Sequence, residues 1–210
     1  MESAFEDNNG FEIKSGPANC NIHQRDNLWF KEIRQGSKKS FQNLFRSYYN
    51  PLTRFAYRYV KSGFIAEEIV QDIFLKVWEK KEELEIEGKV RTYLFRSVHN
   101  RIMDYRRNED TRDAYIREYA AQKNDSLQPE NVEITEKSEI EREAEKAVEE
   151  LPEKLKMTFK MNKVEGLTYQ EIAEILNISP KTVESRMSKA LDYLRSRLVK
   201  YLPVMILLTV

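Results

Sequence analysis

The stretch from Thr168 to about Leu198 constrains the fold most strongly, because the start signals of two short helices occur there close together. Thr168, with Glu171 three residues later, matches a capping box at the start of the first helix. Ser179 followed by Pro180 matches the start of the second helix. Little more than a tight turn can separate the two. The pattern predicts a helix-turn-helix.

Apolar residues recur along one side of the second helix at spacings of three and four, which leaves a polar and mainly basic side. A helix fits the major groove of DNA, and its first turns usually reach the base edges. On the exposed side Arg186 can form two hydrogen bonds with guanine, and Glu184 can accept one from a cytosine amine. The remaining candidates, suited to phosphate or mixed contacts, are Lys181, Thr182, Ser185 and Lys189. An ordinary helical hairpin with a solvated basic face is the alternative.

The rest of the chain also indicates helices. Glycine and proline occur only six times each, and no run of alternating apolar and β-branched residues indicates a sheet. We predict an all-α protein in which two small helical bundles are joined by a linker, with the helix-turn-helix in the C-terminal bundle. The predicted divisions are a flexible leader (1–26), a helical domain (27–107), an acidic linker (108–146), the helix-turn-helix domain (147–200) and an apolar tail (201–210).

Charge is distributed unevenly although the net charge is zero. The segment from Lys89 to Arg107 carries a net +5, and the segment from Lys181 to Lys200 carries +4. Between them, Glu109 to Glu150 carries −8. Two basic segments separated by an acidic one indicate two nucleic-acid contacts joined by a segment that avoids phosphate.

The first bundle has two features that packing alone does not explain. The segment from Ile65 to Trp78 has a wide apolar stripe on one face and an acidic opposite face, which suits either a protein partner or simple solvation. The segment from Arg91 to Tyr105 mixes aromatic and basic residues, as single-stranded nucleic acid requires. For any one aromatic residue there, such as Tyr93 or Phe95, a place in the core is the favoured interpretation.

Several classes of function lack support in the sequence. There is no glycine-rich phosphate loop, metal-ligand cluster or nucleophile arrangement, so we expect no enzyme activity, no cofactor and no metal. His23 and His99 are expected to have ordinary polar roles. The single cysteine, Cys20, favours a reducing compartment such as the cytoplasm. The apolar tail is shorter than the roughly 20 residues that span a bilayer, so we expect it to fold back on the last helix or to form a docking segment, without membrane insertion.

Two separate parts of the sequence resemble the extracytoplasmic-function sigma factors. The first part, which resembles the promoter-melting domain of that family, comprises AEEIVQDIFLKVW from Ala66, then Tyr93-Leu94-Phe95 and the run from Asn100 to Arg106. The second, which resembles the domain that binds the −35 element, comprises Glu150-Leu151-Pro152, GLTYQEIA from Gly166 and the run from Ser179 to Leu194. Both lie in the family's order, over about residues 27–198. The linker lacks the periodic core of the third domain of larger sigma factors.

The resemblance implies a role for each candidate residue. The surface that grips the coiled-coil clamp of core RNA polymerase would comprise Glu68, Gln71, Asp72, Leu75 and Trp78. A loop over about residues 80–90 would capture a base flipped out of the −10 element, with Asn100 as a polar reader. The loop's acidic residues, Glu82, Glu83, Glu85 and Glu87, indicate that only part of it touches DNA. The phosphates of the melted −10 strand would be held by Arg91, Arg96, Arg101 and Arg106.

The partners implied are core RNA polymerase, double-stranded promoter DNA, the melted −10 strand and an anti-sigma factor. Two other hypotheses compete with a sigma factor. A conventional regulator would use the same helix-turn-helix as a dimer without polymerase, and its first bundle would be a sensor or a dimer interface. A decoy would occupy an anti-sigma factor without using DNA, which the basic face of the second helix disfavours.

Overall fold

The computed structural model of the protein describes residues 17–86, 88–119 and 139–199. Within these ranges the chain forms eight helices and no strand, which confirms the predicted all-α class. The helices are α1 (Pro17–Arg34), α2 (Lys38–Val60), α3 (Gly63–Glu79), α4 (Val90–Tyr119), α5 (Glu139–Glu149), α6 (Glu153–Lys163), α7 (Tyr169–Leu176) and α8 (Pro180–Leu198). The predicted apolar tail lies outside the described residues.

Helices α1 to α4 form the first bundle. The apolar stripe predicted on α3 is its buried face, made of Ile69, Val70, Ile73, Phe74 and Val77. Aromatic rings meet edge to face in the centre of the bundle: the Phe55 and Phe95 ring centroids lie 5.3 Å apart. Phe95 is only 1% exposed. This aromatic of the basic segment is therefore part of the core and not a surface on which a base could stack.

The predicted flexible leader is wrong for the residues just before 27, because α1 begins at Pro17. The residues just before 27 are mostly polar, and a polar sequence by itself does not indicate a buried contact. In the structure Asp26 is 1% exposed and accepts a hydrogen bond from the Tyr48 hydroxyl of α2. Burial, followed by this hydrogen bond to Asp26, raises the pKa of Tyr48 well above its usual value. The leader prediction for residues 1–16 concerns a part of the chain that the structure does not describe.

The predicted acidic linker, residues 108–146, was expected to be partly helical at its ends, and the structure has helix at both ends. Helix α4 continues past residue 107 to Tyr119, and α5 begins at Glu139. The extension of α4 is rich in charged residues and has no regular apolar stripe, so hydrophobic periodicity did not predict it. The sequence of α5 does place Ile140, Ala144, Ala147 and Val148 at helical spacing, but these apolar residues are few among many acids. Only residues 120–138 between the two helices lie outside the described part of the chain.

Helices α5 to α8 form the second bundle, which contacts the first directly. Its main core surrounds Met161 and Ile172, both fully buried, and a smaller cluster joins α5 to α8 through Ala147 and Leu194. Helix α7 packs against α4 of the first bundle, and one apolar cluster extends through both bundles. The sequence predicts two bundles on a tether, whereas in the structure they share a packed interface.

Candidate nucleic-acid interface

The predicted helix-turn-helix is confirmed in detail. The Thr168 backbone N–H donates to the Glu171 carboxylate at 2.8 Å, and the Glu171 backbone N–H donates to the Thr168 hydroxyl at 3.3 Å, so the capping box is complete. Asn177 ends α7 in the left-handed conformation, with a φ of 52°. Ser179 caps α8 by accepting from the Thr182 backbone N–H at 3.1 Å. These local bonds fix the angle at which α8 leaves the turn.

The capping box has a titratable member in Glu171, which is 1% exposed. Burial alone would raise the pKa of this carboxyl, but hydrogen bonds from Thr168 and the Lys89 ammonium outweigh burial, and the pKa lies below its usual value. A carboxyl with a lowered native pKa stabilises the fold above its unfolded pKa, and that stability is lost as the pH falls through the native pKa.

We therefore expect Glu171→Gln to lower the free energy of unfolding at neutral pH by about 1–3 kcal/mol, the cost of losing hydrogen bonds to a buried charged group. The variant should also lose less stability than wild type on acidification to about pH 3, below the usual carboxyl range. Thermal unfolding followed by circular dichroism across this range measures both effects. Glu174→Gln, which changes an exposed residue of the same helix, is the matched control. Equal acid sensitivity of wild type and Glu171→Gln would contradict this account.

The outer side of α8 presents the predicted −35 residues. Lys181, Glu184, Ser185 and Lys189 are exposed, and Arg186 is half-buried. Val183 and Met187 form the opposite, buried side. Thr182 differs from the other candidates, because its hydroxyl is 2.8 Å from that of Ser179 and takes part in the helix cap. Among the described residues, none of the charged groups on this side is held in an ion pair, so all four are available to a ligand.

The predicted polymerase surface lies on the outer side of α3. Glu68, Gln71 and Leu75 are exposed, and Leu75 keeps 53% of its surface in contact with solvent. Trp78 is half-buried, with its ring 5.1 Å from that of Phe41. Its truncation would therefore disturb packing as well as any contact.

The outer side of α3 differs from the prediction at two residues, Asp72 and Phe64. Asp72 is half-buried and accepts a charge-assisted hydrogen bond from Arg101 at 2.8 Å, so a candidate for polymerase and a candidate for DNA bind each other. Phe64, at the start of α3, is 77% exposed and lies on the same side as Gln71 and Leu75. Phe64 is not among the residues predicted from the sequence, although it lies seven residues before Gln71 and so on the same side of the helix.

The five −10 candidates on α4 differ in whether they are exposed or already bind other groups of the protein. Arg96 and Asn100 are exposed, and Arg96 has no ion pair within the described ranges. The other three arginines bind oxygens of the protein: Arg101 binds Asp72, Arg106 binds Glu153, and Arg91 binds backbone carbonyls after α6. Pairing between side chains of distant segments cannot be predicted from the sequence alone.

The loop between α3 and α4 borders a cavity of about 370 Å³. Its walls come from the loop and from α1, and they include Asn27, Phe30, Lys31, Arg34, Glu85 and Ile86. This volume is within the range of small-ligand sites, roughly 300–1,000 Å³. The Asn27 side chain also accepts a hydrogen bond from the Val90 backbone N–H at 3.5 Å, which ties α1 to the start of α4. The cavity is thus a candidate site for a single base at the predicted loop.

Comparison with known proteins identifies the family. The model of Sigma-70 region 2 matches residues 44–112, and that of Sigma-70, region 4 matches residues 141–194. The ECF RNA polymerase sigma-E factor of Haemophilus influenzae is 31% identical over 182 residues, which cover 82% of this chain and 95% of that protein. The chain belongs to the extracytoplasmic-function sigma factors. The sigma-E factor of Escherichia coli K12 is 28% identical to this sigma factor over 174 residues, covering 79% and 90% of the two chains.

Two solved structures share the fold of this sigma factor. One is CnrH in complex with the cytosolic domain of CnrY, with a TM-score of 0.57 and 19% identity, covering 84% of this chain and 98% of CnrH. The other is the sigma factor RpoE in complex with the anti-sigma factor NepR from Bartonella quintana, with a TM-score of 0.56 and 21% identity, covering 76% and 97%. The predicted family and all-α architecture are therefore confirmed.

As a member of this family, the protein is a promoter-specificity factor of RNA polymerase, and such factors are generally not enzymes. No group of three or more His, Cys, Asp and Glu side chains within the described ranges could hold a metal ion. No helix in the described part of the chain is long and apolar enough to cross a membrane. His23 and His99 are partly buried, and burial lowers the pKa of each, so both are neutral at neutral pH.

Proposed function

We propose that this sigma factor holds a promoter at two places while it binds core polymerase at a third. The outer side of α8 reads the −35 element, α4 with the preceding loop binds the melted −10 strand, and the outer side of α3 binds the polymerase clamp. The observation that carries the proposal is the set of unpaired charged side chains on α8, presented by a fully capped helix-turn-helix. Work on polymerase and promoter DNA would place the protein in the cytoplasm.

At the −35 element, the α8 residues have two proposed roles, which depend on their positions along the helix. Arg186 and Glu184 lie within the first turns of the helix, from which side chains reach base edges. Lys181, Ser185 and Lys189 would hold phosphates on either side, which positions the helix without reading sequence. Thr182 contributes through the cap. Because one short helix makes few contacts, binding of −35 DNA by the free protein should be weak and strongly dependent on salt.

At the −10 element, Arg96 and Asn100 form the part of the surface that is already open. The cavity beside the loop would receive the flipped base, with Phe30 as an apolar wall and Lys31 or Arg34 close to the phosphates. Extruding a base costs a few kcal/mol, which contacts in such a pocket must offset. Arg91, Arg101 and Arg106 would join this surface once their protein partners release them.

On α3, the exposed apolar residues Phe64 and Leu75 lie on the same side as the exposed acid Glu68, which suits a basic protein partner with an apolar centre. We propose that Asp72 contacts polymerase in addition to pairing with Arg101. Asp72→Arg should then weaken binding to core polymerase by roughly tenfold, equivalent to about 1.4 kcal/mol. Titration of core polymerase with fluorescently labelled protein, without DNA, measures this loss.

A charge exchange separates the two roles of Asp72. Asp72→Arg combined with Arg101→Asp restores the internal ion pair but still presents a cation to polymerase, so the affinity should stay low. Full recovery in the exchanged variant would show that Asp72 acts only through its internal ion pair with residue 101 and not through a contact with polymerase. Asp192→Arg, which reverses an exposed acid on α8, is the control and should bind core polymerase normally.

We further propose that an anti-sigma factor restrains this protein. Both structural relatives are bound to a partner chain: CnrH to the cytosolic domain of CnrY, and the sigma factor RpoE to the anti-sigma factor NepR. The exposed side of α3 is a surface that such a polypeptide could cover in competition with polymerase. Co-purification of the tagged protein from its own host, followed by mass spectrometry of the bound chains, tests this proposal.

Mapping transcription start sites in cells with and without the protein tests the proposed function as a whole. We expect a set of starts that depend on the protein and share one −35 and one −10 sequence. A dimeric regulator would instead change the use of promoters that already have another −35 and −10 pattern, and a decoy would produce no motif of its own.

A further inference from the structure

A second cavity, of about 230 Å³, lies between the end of α2, the middle of α4 and the segment that joins α5 to α6. Apart from Arg106, none of its residues belongs to a proposed interface. Arg106 is roughly 24 Å along α4 from Val90, which lines the cavity proposed for the flipped base, at about 1.5 Å per residue. The two cavities are therefore distinct. Five basic side chains line the second one: Arg58, Lys61, Arg106, Lys156 and Lys160.

The cavity has more cations than carboxylates to neutralise them. Lys156 and Lys160 both bind one carboxylate, that of Glu149, although these lysine side chains are only 19% and 15% exposed. Lys61 has no ion pair within the described ranges. The other two cations are paired one to one, Arg58 with Glu165 and Arg106 with Glu153. Five cations thus share three carboxylates, and the surplus of two positive charges favours an anion.

A hydrogen-bond donor without a partner also lines the cavity. The Tyr59 hydroxyl is buried and has no hydrogen-bond partner in the part of the chain that the structure describes. Burial raises the pKa of this hydroxyl well above its usual value, so it keeps its proton at neutral pH. Buried polar groups almost always have a partner, and this hydroxyl therefore points to a ligand that accepts a hydrogen bond.

The acids of the cavity narrow the choice of anion. A hydrogen bond from Lys160 lowers the pKa of Glu149, so this carboxylate is ionised at neutral pH and can only accept hydrogen bonds. Sulfate and the phosphodiesters of nucleic acid have no proton to donate at this pH, and a carboxylate repels them. Hydrogenphosphate has oxygens that accept from cations and a hydroxyl that donates to a carboxylate. The mixture of cations and acids thus suits a phosphate group that keeps a proton.

The volume limits the size of the ligand. Sites for drug-sized molecules measure roughly 300–1,000 Å³, and this cavity is smaller. We propose that the cavity binds a single protonated phosphate group, either inorganic phosphate or the phosphate end of a small monoester. Lys156, Lys160 and Tyr59 donate to the phosphate oxygens, and Glu149 accepts from the phosphate hydroxyl. This site is separate from the proposed contacts with promoter DNA and polymerase.

Isothermal titration calorimetry of the full chain tests the site with four probes at constant ionic strength. Inorganic phosphate and glycerol 3-phosphate are the two candidate sources of the phosphate group, and the tighter binder of the two identifies the source. Sulfate has a similar shape and charge but no proton. A DNA duplex of random sequence tests the nucleic-acid backbone. We expect one binding site per chain and an affinity for phosphate at least tenfold above that for sulfate, the effect of one hydrogen bond to a charged group.

Three variants assign the binding groups without changing Arg106. Lys156→Gln combined with Lys160→Gln removes two charged donors and should weaken phosphate binding at least 100-fold. Tyr59→Phe removes only a hydroxyl and should weaken it about tenfold, while the thermal stability of the protein without phosphate stays equal or rises. Glu149→Gln supplies an amide that donates as well as accepts, so the preference for phosphate over sulfate should disappear.

The matched control is Lys154→Gln combined with Lys163→Gln, which removes two exposed cations from the same helix and should bind phosphate as wild type does. Equal affinities of wild type for phosphate and sulfate would overturn the proposal, because simple charge attraction would then explain binding. Unchanged phosphate binding in both Tyr59→Phe and the Lys156–Lys160 variant would also overturn it. If wild type bound the duplex but not phosphate, and the Lys156–Lys160 variant lost the duplex, these lysines would bind nucleic acid and the proposal would be wrong.

Discussion

Leu75→Arg is expected to abolish binding to core polymerase, the largest single effect that the structure predicts. Leu75 is a large apolar residue that is 53% exposed, in the middle of the outer side of α3. A polymerase surface that buries it would have to accommodate a longer, charged side chain in a desolvated position. Burying an unpaired charge in an interface costs about 2 kcal/mol or more, so the affinity should fall by at least roughly 30-fold.

The control for this variant is Leu28→Arg. Leu28 is 55% exposed and lies on α1 of the same bundle, outside the proposed surface. Both variants should keep the helical circular dichroism spectrum, since neither side chain is in the core. Binding to core polymerase by fluorescence anisotropy should be lost in Leu75→Arg and retained in Leu28→Arg. Similar affinities for the two variants would move the polymerase surface away from α3.

The second large effect is expected at the promoter. Arg186→Ala should weaken the binding of holoenzyme to promoter DNA by roughly 10- to 100-fold, since a side chain with two hydrogen bonds to a base contributes about 1–3 kcal/mol of discrimination. Arg186 is half-buried, and its guanidinium forms no ion pair within the described part of the chain, so it is available to a base. The loss should be confined to promoters with the preferred base at one −35 position, and specificity there should relax.

Two further variants separate base reading from charge. Lys189→Ala should weaken binding to all promoters about equally and reduce the slope of log affinity against log salt by about 1. Arg195→Ala removes the same charge as Arg186→Ala, but from an exposed residue near the end of α8 that pairs with Asp192. Arg195→Ala should have little effect on the affinity of holoenzyme for promoter DNA. If Arg186→Ala weakened binding to all promoters equally, Arg186 would contact phosphate and not a base.

The sequence predicted the helix-turn-helix closely because its determinants are local. Thr168, Glu171, Ser179 and Pro180 each act within one turn of helix, and the structure has them in their predicted positions. The family's motifs supplied the candidates on α3 and α4, and the buried stripe of α3 followed from periodicity. A helix start or turn that is determined by residues close together in the sequence can be predicted from the sequence.

What could not be predicted depends on contacts between distant segments. Nothing near Arg91 in the sequence indicates that carbonyls 74 and 75 residues away accept its hydrogen bonds. The same holds for Asp26, a charged residue that is buried only because α2 supplies Tyr48. The charged end of α4 has no regular apolar stripe from which its length could have been predicted.

Run-off transcription with purified components tests the central claim most directly. Core RNA polymerase, this protein and a template carrying the −35 and −10 sequences from start-site mapping are combined, with each component also left out in turn. The account predicts transcripts from one defined start only when the protein is present, and none with Leu75→Arg. Tight binding of that template by the protein alone, with no dependence of transcription on adding it, would contradict the account.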